Sequence, residues 1–443
     1  MSQTRTKTKN VFLVAPTEMH LEAVETLKGY GEDFRVHPLL EKQQIHSEEI
    51  PIKALMKQAR EQLDDFPEDV DAILCHWDFP VTLMVPLLCQ ERGLRAASLE
   101  SVIQCSHKYW SRKAQRESIA EVTAKFELVD PFEADAAHSI SLAYPYWLKP
   151  VKGFSSMLGF YITSDEELAE ALDEIRESVQ RLAEPFDKLL KEAGLPQRFL
   201  EVGGAHCLAE EYLKGVEVAH AGYVQDGKMT IHGTLDMVRE DESFTRFLWP
   251  SQAPERVHFR MKEASEKFLK HIGYNDGCFN AEYFWEPETD RLRVIEFNPR
   301  ISQSHTPLCL MVDGRTNHQI ALDVSLGRKP NFSPKSGPCD LAAKFLIRTP
   351  KNGTVNRVPT EQEIEELQDR FPNLIFVVKV REGQKLDELL DQDAYTYKLG
   401  EAYLGGKDEE SLLDTYWELL EALPLEVDGV EIPADILGAR RPQ

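Results

Sequence analysis

Residues 293–305 read RVIEFNPRISQSH. An apolar strand pattern ends here in Glu296, Asn298 and Arg300, with Pro299 setting a turn. One explanation is a surface strand running into a proline turn, closed by an ion pair between Glu296 and Arg300. The residues upstream argue for more. The stretch CFNAEYFWEPETDRLRVIEF (278–297) has the alternation of a β-hairpin, and a turn centred on Thr289 sets Glu282 directly opposite Glu296. Like charges facing each other on neighbouring strands are destabilising. A divalent cation offsets that repulsion, and Mg²⁺ or Mn²⁺ takes carboxylates together with other oxygen donors. Asn298 lies two residues beyond Glu296, hence on the same strand face, and supplies a third oxygen. Arg300 cannot ligate a cation, but it can hold a phosphate or an oxyanion in bidentate fashion. Glu282, Glu296 and Asn298 are therefore the expected metal ligands, with Arg300 beside them.

The whole chain bounds what such a site can serve. Its 443 residues leave room for several domains at roughly 100 to 200 residues each, and its composition, 42% hydrophobic and 28% charged, is that of a globular protein. A formal net charge of −24 argues against general nucleic-acid binding, which needs stripes of Lys and Arg. Any phosphate must be held by local cations. The cysteines, at 75, 89, 105, 207, 278, 309 and 339, are scattered and form no C-x-x-C pair, so neither a disulfide framework nor a zinc site is expected. The start, MSQTRTKTKN, lacks the apolar core of a signal peptide, and no apolar run approaches the roughly 18 residues of a membrane span. A soluble protein of the reducing cytoplasm, without nucleic-acid or membrane partners, is the expectation.

Along the chain, NVFLVAP (10–16) and VDAILCHWD (70–78) read as buried strands, and His20 to Gly29 and VTLMVPLLCQERG (81–93) as helices. Strands alternating with helices predict βαβ units and a parallel sheet. An amphipathic stretch from Asp165 carries Leu168, Leu172, Ile175, Val179 and Leu182, and is expected to break at Pro185. VEVAHAGYVQDGKMTIHGTLDMV (216–238) predicts a hairpin turning at Asp226-Gly227, which brings Asp236 near Glu217; His220 and His232 on it read as structural. The Pro- and Gly-rich RKPNFSPKSGP (328–338) marks a boundary. The expected fold is α/β and α+β: an N-terminal βαβ part over 1–112, a central part over 113–330 and a C-terminal α+β segment over 331–443.

In their order, these segments resemble the ATP-grasp superfamily. Its ligases carry an acidic residue on one strand and E-x-N-x-R on the next, matched here by Glu282 and EFNPR (296–300). CSHKYWSR (105–112) resembles the segment with the first nucleotide lysine, here Lys108. YWLKPVKGFSSMLGF (146–160) resembles the strand lysine and phosphate loop, here Lys149 with Ser155 and Ser156, although the loop is poorer in glycine than in many members. LAEEYLKGVEV (208–218) resembles the hinge that takes adenine through backbone groups, here Glu210, Glu211, Tyr212 and Leu213, with Glu217 at the ribose position. The resemblance covers about 105–305. It implies an ATP-grasp fold with a two-lobed nucleotide domain over 113–330, a mobile lid over about 115–205, and use of ATP with Mg²⁺ or Mn²⁺. It is also compatible with a homodimer.

Enzymes of this superfamily activate a carboxylate as an acylphosphate, which a nucleophile then attacks. The pattern R-x-x-x-x-H-x-P, met by Arg300, His305 and Pro307, resembles carboxylate-amine ligases, including those that make dipeptides. Arg300 and His305 are thus the catalytic candidates, with a small-molecule carboxylate and an amine as partners. His305 can orient substrate or move a proton, since histidine titrates near neutrality, or it can be a hydrogen-bonded structural residue. Biotin carboxylases carry a glutamate just before that histidine, where this chain has Ser304. A bicarbonate-using carboxylase or carbamoyl-phosphate-type enzyme is the second expectation. A nucleotide-binding regulator without turnover is a third, and binding alone does not require both carboxylates, the asparagine and the arginine. The chain has no G-x-x-x-x-G-K-[ST], G-x-S-x-G or H-E-x-x-H pattern.

Overall fold

A computed structural model describes residues 8–17, 20–21, 34–45, 47, 49–153, 158–240, 243–389, 392 and 395–439. The helix expected over His20–Gly29 lies almost wholly outside the described residues, as do Ser155 and Ser156.

The apolar run near the start forms β1 (Lys9–Val14), flanked by β2 (Phe34–Leu39) and β3 (Ala72–Leu74) in a parallel sheet of order β2-β1-β3. A parallel arrangement brings all three carboxyl ends to one edge. His20 follows β1 there, and His76, Trp77 and Asp78 follow β3. That edge is where open α/β sheets bind ligands.

A second sheet, of order β4-β7-β5-β6, is built from β4 (Phe126–Val129), β5 (Tyr146–Pro150), β6 (Phe160–Ile162) and β7 (Cys207–Glu211). Two helices, Asp165–Ser178 and Gln180–Glu192, accompany it. The expected break at Pro185 is displaced: the helices part at Val179, and Pro185 lies inside the second one. Restarting the helix at Gln180 puts the proline near a new N-terminus, and the buried Leu182, Phe186, Leu189 and Leu190 offset the hydrogen bond that proline cannot make.

The large sheet has the order β12-β11-β8-β9-β10-β13-β16-β15. Its strands are β8 (Val216–Gln225), β9 (Lys228–Glu240), β10 (Ser243–Trp249), β11 (Gly277–Glu286), β12 (Arg291–Asn298), β13 (Leu341–Thr349), β15 (Ile375–Val378) and β16 (Tyr397–Gly406). A short β14 (Val355–Arg357) pairs with β17 (Glu426–Val427). Residues beyond 330 build a core that also takes in Leu248 of β10 and in which Phe345 stacks on Tyr416 at 4.0 Å, and β13 pairs with β10 and continues the sheet.

The first hairpin turns at Asp226-Gly227 as expected, the second turns slightly ahead of Thr289 with Glu286 paired to Arg291, and both contain a bulge that decides which residues meet. Between β8 and β9 the register shifts at Ala221/Gly222, so Glu217 faces Met237 while Asp236 faces Val218. A one-residue shift turns a side chain to the other face. Asp236 therefore points away from Glu217, contrary to expectation, and instead accepts from Ser251 Oγ and from the backbone N–H of Gln252 at 2.7 Å. Between β11 and β12 the shift falls at Glu282/Tyr283, and Glu282 faces Glu296 as expected. The helix Glu255–His271 packs behind these strands, with Phe268 stacked on Phe297 at 4.2 Å. Ser265 Oγ on that helix bridges His220 Nε2 (2.8 Å) and the Tyr283 hydroxyl (2.6 Å), a buried polar chain that pins β8 and β11.

Among the described residues, no helix is long and apolar enough to cross a membrane. All seven cysteines are unpaired.

The chain passes from the second sheet to the large one through Gly215, whose φ is +123°. A Cβ there would lie 2.3 Å from the carbonyl oxygen of Trp285, so only glycine allows this crossing. Gly215→Ala is expected to lower stability by about 2 kcal/mol or more, read as a lower urea midpoint at unchanged slope. An unchanged midpoint would contradict the tight crossing.

Candidate active site

A cavity of about 580 Å³ collects every candidate residue that the structure describes: Lys108, Lys149, Glu210, Glu211, Tyr212, Leu213, Glu217, Glu282, Glu296, Asn298, Arg300 and His305. That volume suits a small-molecule site.

One wall is acidic. Glu282 and Glu296 stand opposite each other on β11 and β12. The Asn298 side-chain amide donates to both, at 3.2 and 3.1 Å, and Asn280 donates to Glu282 at 2.8 Å. Burial, and then the charges of Glu296 and Glu217, push the Glu282 carboxyl well above the usual carboxylate range. The donors are all oxygens, they are crowded, and a half-turn of the Asn298 carboxamide would present its oxygen to the same point. Such a set fits a hard divalent cation such as Mg²⁺ or Mn²⁺. Among the described residues no three His, Cys, Asp or Glu side chains form a ready-made metal cage. An ion bound here must complete its shell with water and ligand oxygens, which is the habit of Mg²⁺.

The facing wall is basic. The helix Lys108–Ser118 begins at the cavity, and Lys108 and Arg112, one turn apart, share a helical face. The Lys108 backbone N–H donates to Val151 (3.0 Å) and its Nζ to the Gly153 carbonyl (2.8 Å). Arg112 and Lys149 both pair with Glu210, and Arg112 also reaches the Ile295 carbonyl at 2.5 Å. Burial raises the Glu210 carboxyl, but Arg112 and Lys149 outweigh it and hold the group at about 2. Lys152, the first residue of the phosphate loop that the resemblance implies over 152–159, is buried in the same cavity with its ammonium 5.3 Å from the ring centres of both Phe79 and Phe186. Burial, and then the charge of Lys108, lower it to about 7 against the pull of Asp78 and Glu296.

Arg300 does not pair with Glu296, as a surface turn would have it. Its Nε and Nη2 grip Asp78 at 3.0 and 2.9 Å, which ties the end of β12 to the carboxyl edge of the parallel sheet. Asp78 follows an apolar strand directly in VDAILCHWD, but nothing local links it to a residue so far along the chain. Glu217 is buried against Arg239 (2.9 Å), whose guanidinium lies 3.5 Å from the centre of the Phe244 ring; burial raises the Glu217 carboxyl and Arg239 opposes it. Glu211 takes Arg293 (3.3 Å) and the Lys125 N–H (3.2 Å), and Tyr212 leans on Tyr161 at 4.6 Å. These residues, with Leu213, lie where the chain crosses between the two sheets. His305 is buried beside Trp249 (5.7 Å), and its Nδ1 has no hydrogen-bond partner. Burial, then the Arg300 charge, hold it well below the usual histidine range, so its ring is neutral. The preceding Ser304 accepts from Lys344 Nζ at 2.9 Å.

Glu210 titrates at about 2 in the fold against an ordinary 4.5. Its contribution is therefore present above about pH 4.5 and is lost as the pH falls toward 2. Arg112→Met should cost about 3 kcal/mol at pH 7 and flatten the loss of stability over that acid window, as measured by urea unfolding at several pH values. Wild-type midpoints throughout would show that Arg112 is not what holds Glu210.

Residues 142–307 match the family described as ATP-grasp domain. The chain is 24% identical over 246 residues to acetyl-CoA carboxylase of Schizosaccharomyces pombe, covering 52% of this chain and 9% of that protein. It is 24% identical over 371 residues to the carbamoyl phosphate synthase large chain of Archaeoglobus fulgidus, covering 80% of this chain and 32% of that one. The chain thus spans a third or less of the length of these relatives. The solved structure of L-amino acid ligase from Bacillus licheniformis superposes with a TM-score of 0.69 at 16% identity, over 94% of this chain and 98% of that chain. That likeness concerns the fold. Over residues 142–307 the chain is thus similar to the ATP-grasp domain family, and its fold is that of the solved ligase it superposes on.

Proposed function

We propose that this chain is an ATP- and Mg²⁺-dependent carboxylate-amine ligase. It activates a carboxylate, that of an amino acid, as an acylphosphate and joins it to an amine, forming an amide or dipeptide and releasing ADP and phosphate. One observation carries the reading. Arg300, gripped at two points by Asp78, stands beside the oxygen-only set Glu282, Glu296 and Asn298 in the same cavity as Lys108 and Lys149.

The residues divide the work as follows. Lys108 and Lys149 neutralise phosphate charge, with Ser155 and Ser156 as loop donors. Glu210 to Leu213 take the base at the crossing between sheets, and Glu217 takes the ribose. Glu282, Glu296 and Asn298 would hold Mg²⁺, which would supply screening of the charge that develops on the phosphates. Arg300 holds the acylphosphate and the oxyanion of its tetrahedral successor. The neutral ring of His305 orients the substrate. The lobe over about 115–205 closes to keep water from the acylphosphate. Seven unpaired cysteines support a reducing cytoplasm as the setting.

A bicarbonate-using enzyme is the second reading, favoured by the two curated relatives, a carboxylase and a carbamoyl phosphate synthase. Ser304 speaks against its biotin-dependent form, because the position offers a hydroxyl already taken by Lys344 and no carboxylate base.

The test is Mg²⁺-dependent ADP release with pairs of amino acids, run with and without bicarbonate. Release that needs two amino acids and yields a condensed product by mass is the expected result. Chelation of Mg²⁺ should stop it, and Glu296→Ala should reduce it by about 100-fold or more. Normal turnover in that variant would sink the assignment, and release that follows bicarbonate would move the protein to the second reading.

A further inference from the structure

The carboxyl edge of the parallel sheet brings three histidines together beside Arg300. The His20 ring lies 4.0 Å from that of His76 and 5.5 Å from that of His318, and His76 lies 5.5 Å from His318. None is more than 1% exposed. Two are held in place: His20 bonds Thr17 through Nδ1 and Gln303 through Nε2 (3.0 Å), and His318 Nδ1 meets the Thr306 hydroxyl at 3.2 Å. His76 has no hydrogen-bond partner at either ring nitrogen, and it lines the cavity that holds Arg300. A buried polar atom without a partner is destabilising, and a ligand group that reaches it removes the deficit.

The surroundings say which kind of group. Arg300, from the turn after β12, faces His76 together with His20 and His318, and Asp78 on its own loop is engaged by Arg300. Lys42 and Lys379 bear on His20. Burial foremost, then these neighbours, keep the rings neutral: His76 lies well below the usual range, His20 at about 4 and His318 at about 3. An uncharged ring offers one N–H donor and one acceptor nitrogen, and that acceptor suits the N–H of an amine.

We propose that His76 accepts the proton of the amine nucleophile and that the His20, His76 and His318 cluster is the amine subsite. This rests on the ligase reading and deepens it. The nitrogen lone pair attacks the acyl carbon of the acylphosphate, and a C–N bond forms. The bond from that carbon to the phosphate oxygen breaks, and phosphate leaves with the electron pair. The proton shed by nitrogen passes to His76, which releases it to water as product departs. His20, through Gln303, and His318 are positioning residues.

Hydroxylamine separates the steps. It is uncharged at neutral pH and its adduct loses a proton to water unaided, so it traps the acylphosphate as a hydroxamate without needing His76. The full chain and His76→Gln are incubated with Mg²⁺, ATP and the proteinogenic L-amino acids, with and without hydroxylamine. The variant should keep hydroxamate formation and its KM for ATP, while dipeptide formation falls roughly 100-fold in kcat and recovers as the pH is raised. Retained hydroxamate formation also reports a folded protein. Should His76→Gln not fold, His318→Gln must show the same selective loss in weaker form. Equal loss of both products in a folded variant, or loss of neither, overturns the proposal. A wild-type protein that makes no hydroxamate from any amino acid overturns the ligase reading, and this inference with it.

Discussion

Two carboxylates facing each other on neighbouring strands repel, and burial makes the repulsion worse. Glu282 and Glu296 are nonetheless held opposite by several independent constraints. The bulge at Glu282/Tyr283 sets the register at the cavity end of the hairpin. Phe268 on Phe297 and the Ser265 bridge fix the strands from behind, and the amides of Asn280 and Asn298 hold the carboxyl groups from the front. Relaxing any one of these would let the pair separate, which the isolated hairpin would favour. The strain is a site feature, maintained by packing elsewhere.

The guanidinium groups of the cavity and Lys149 are handled differently, because they are already paired with carboxylates. Arg112 and Lys149 share Glu210, Arg300 takes Asp78, and Arg239 takes Glu217. These pairs join separate elements: Arg112 links its helix to β7 and to the Ile295 carbonyl of β12, and Arg300 links β12 to the parallel sheet. Breaking a buried pair costs about 3 to 5 kcal/mol, against less than about 1 for an exposed one. An anion entering the cavity must compete for cations that also hold the lobes together. Ligand binding and the fit between lobes are therefore one energetic problem.

How much of this the sequence disclosed follows from the range of each signal. The second hairpin was legible because its turn, its alternation and its two glutamates lie within a short stretch, and the motifs at Lys108, Lys149 and Glu210 to Glu217 were legible by their order. Asp78 and His76 could not be joined to Arg300 from sequence, since the contact is made by topology and carries no period. Asp236 was misplaced by a bulge. A hint existed in Gly222, a glycine inside a strand pattern, where such irregularities occur. Pro185 misled because a helix can restart just ahead of a proline as readily as it can end there.

Lys152 adds a property that a list of ligands does not convey. It lies 5.3 Å from the ring centres of Phe79 and Phe186, and burial lowers it to about 7, so its neutral amine form lies far closer to hand at neutral pH than that of an exposed lysine. An anion settling beside it raises its affinity for protons and favours the charged ammonium. Occupancy of the cleft and proton uptake from solvent are then a single thermodynamic event, and the heat of that event depends on the ionisation enthalpy of the buffer.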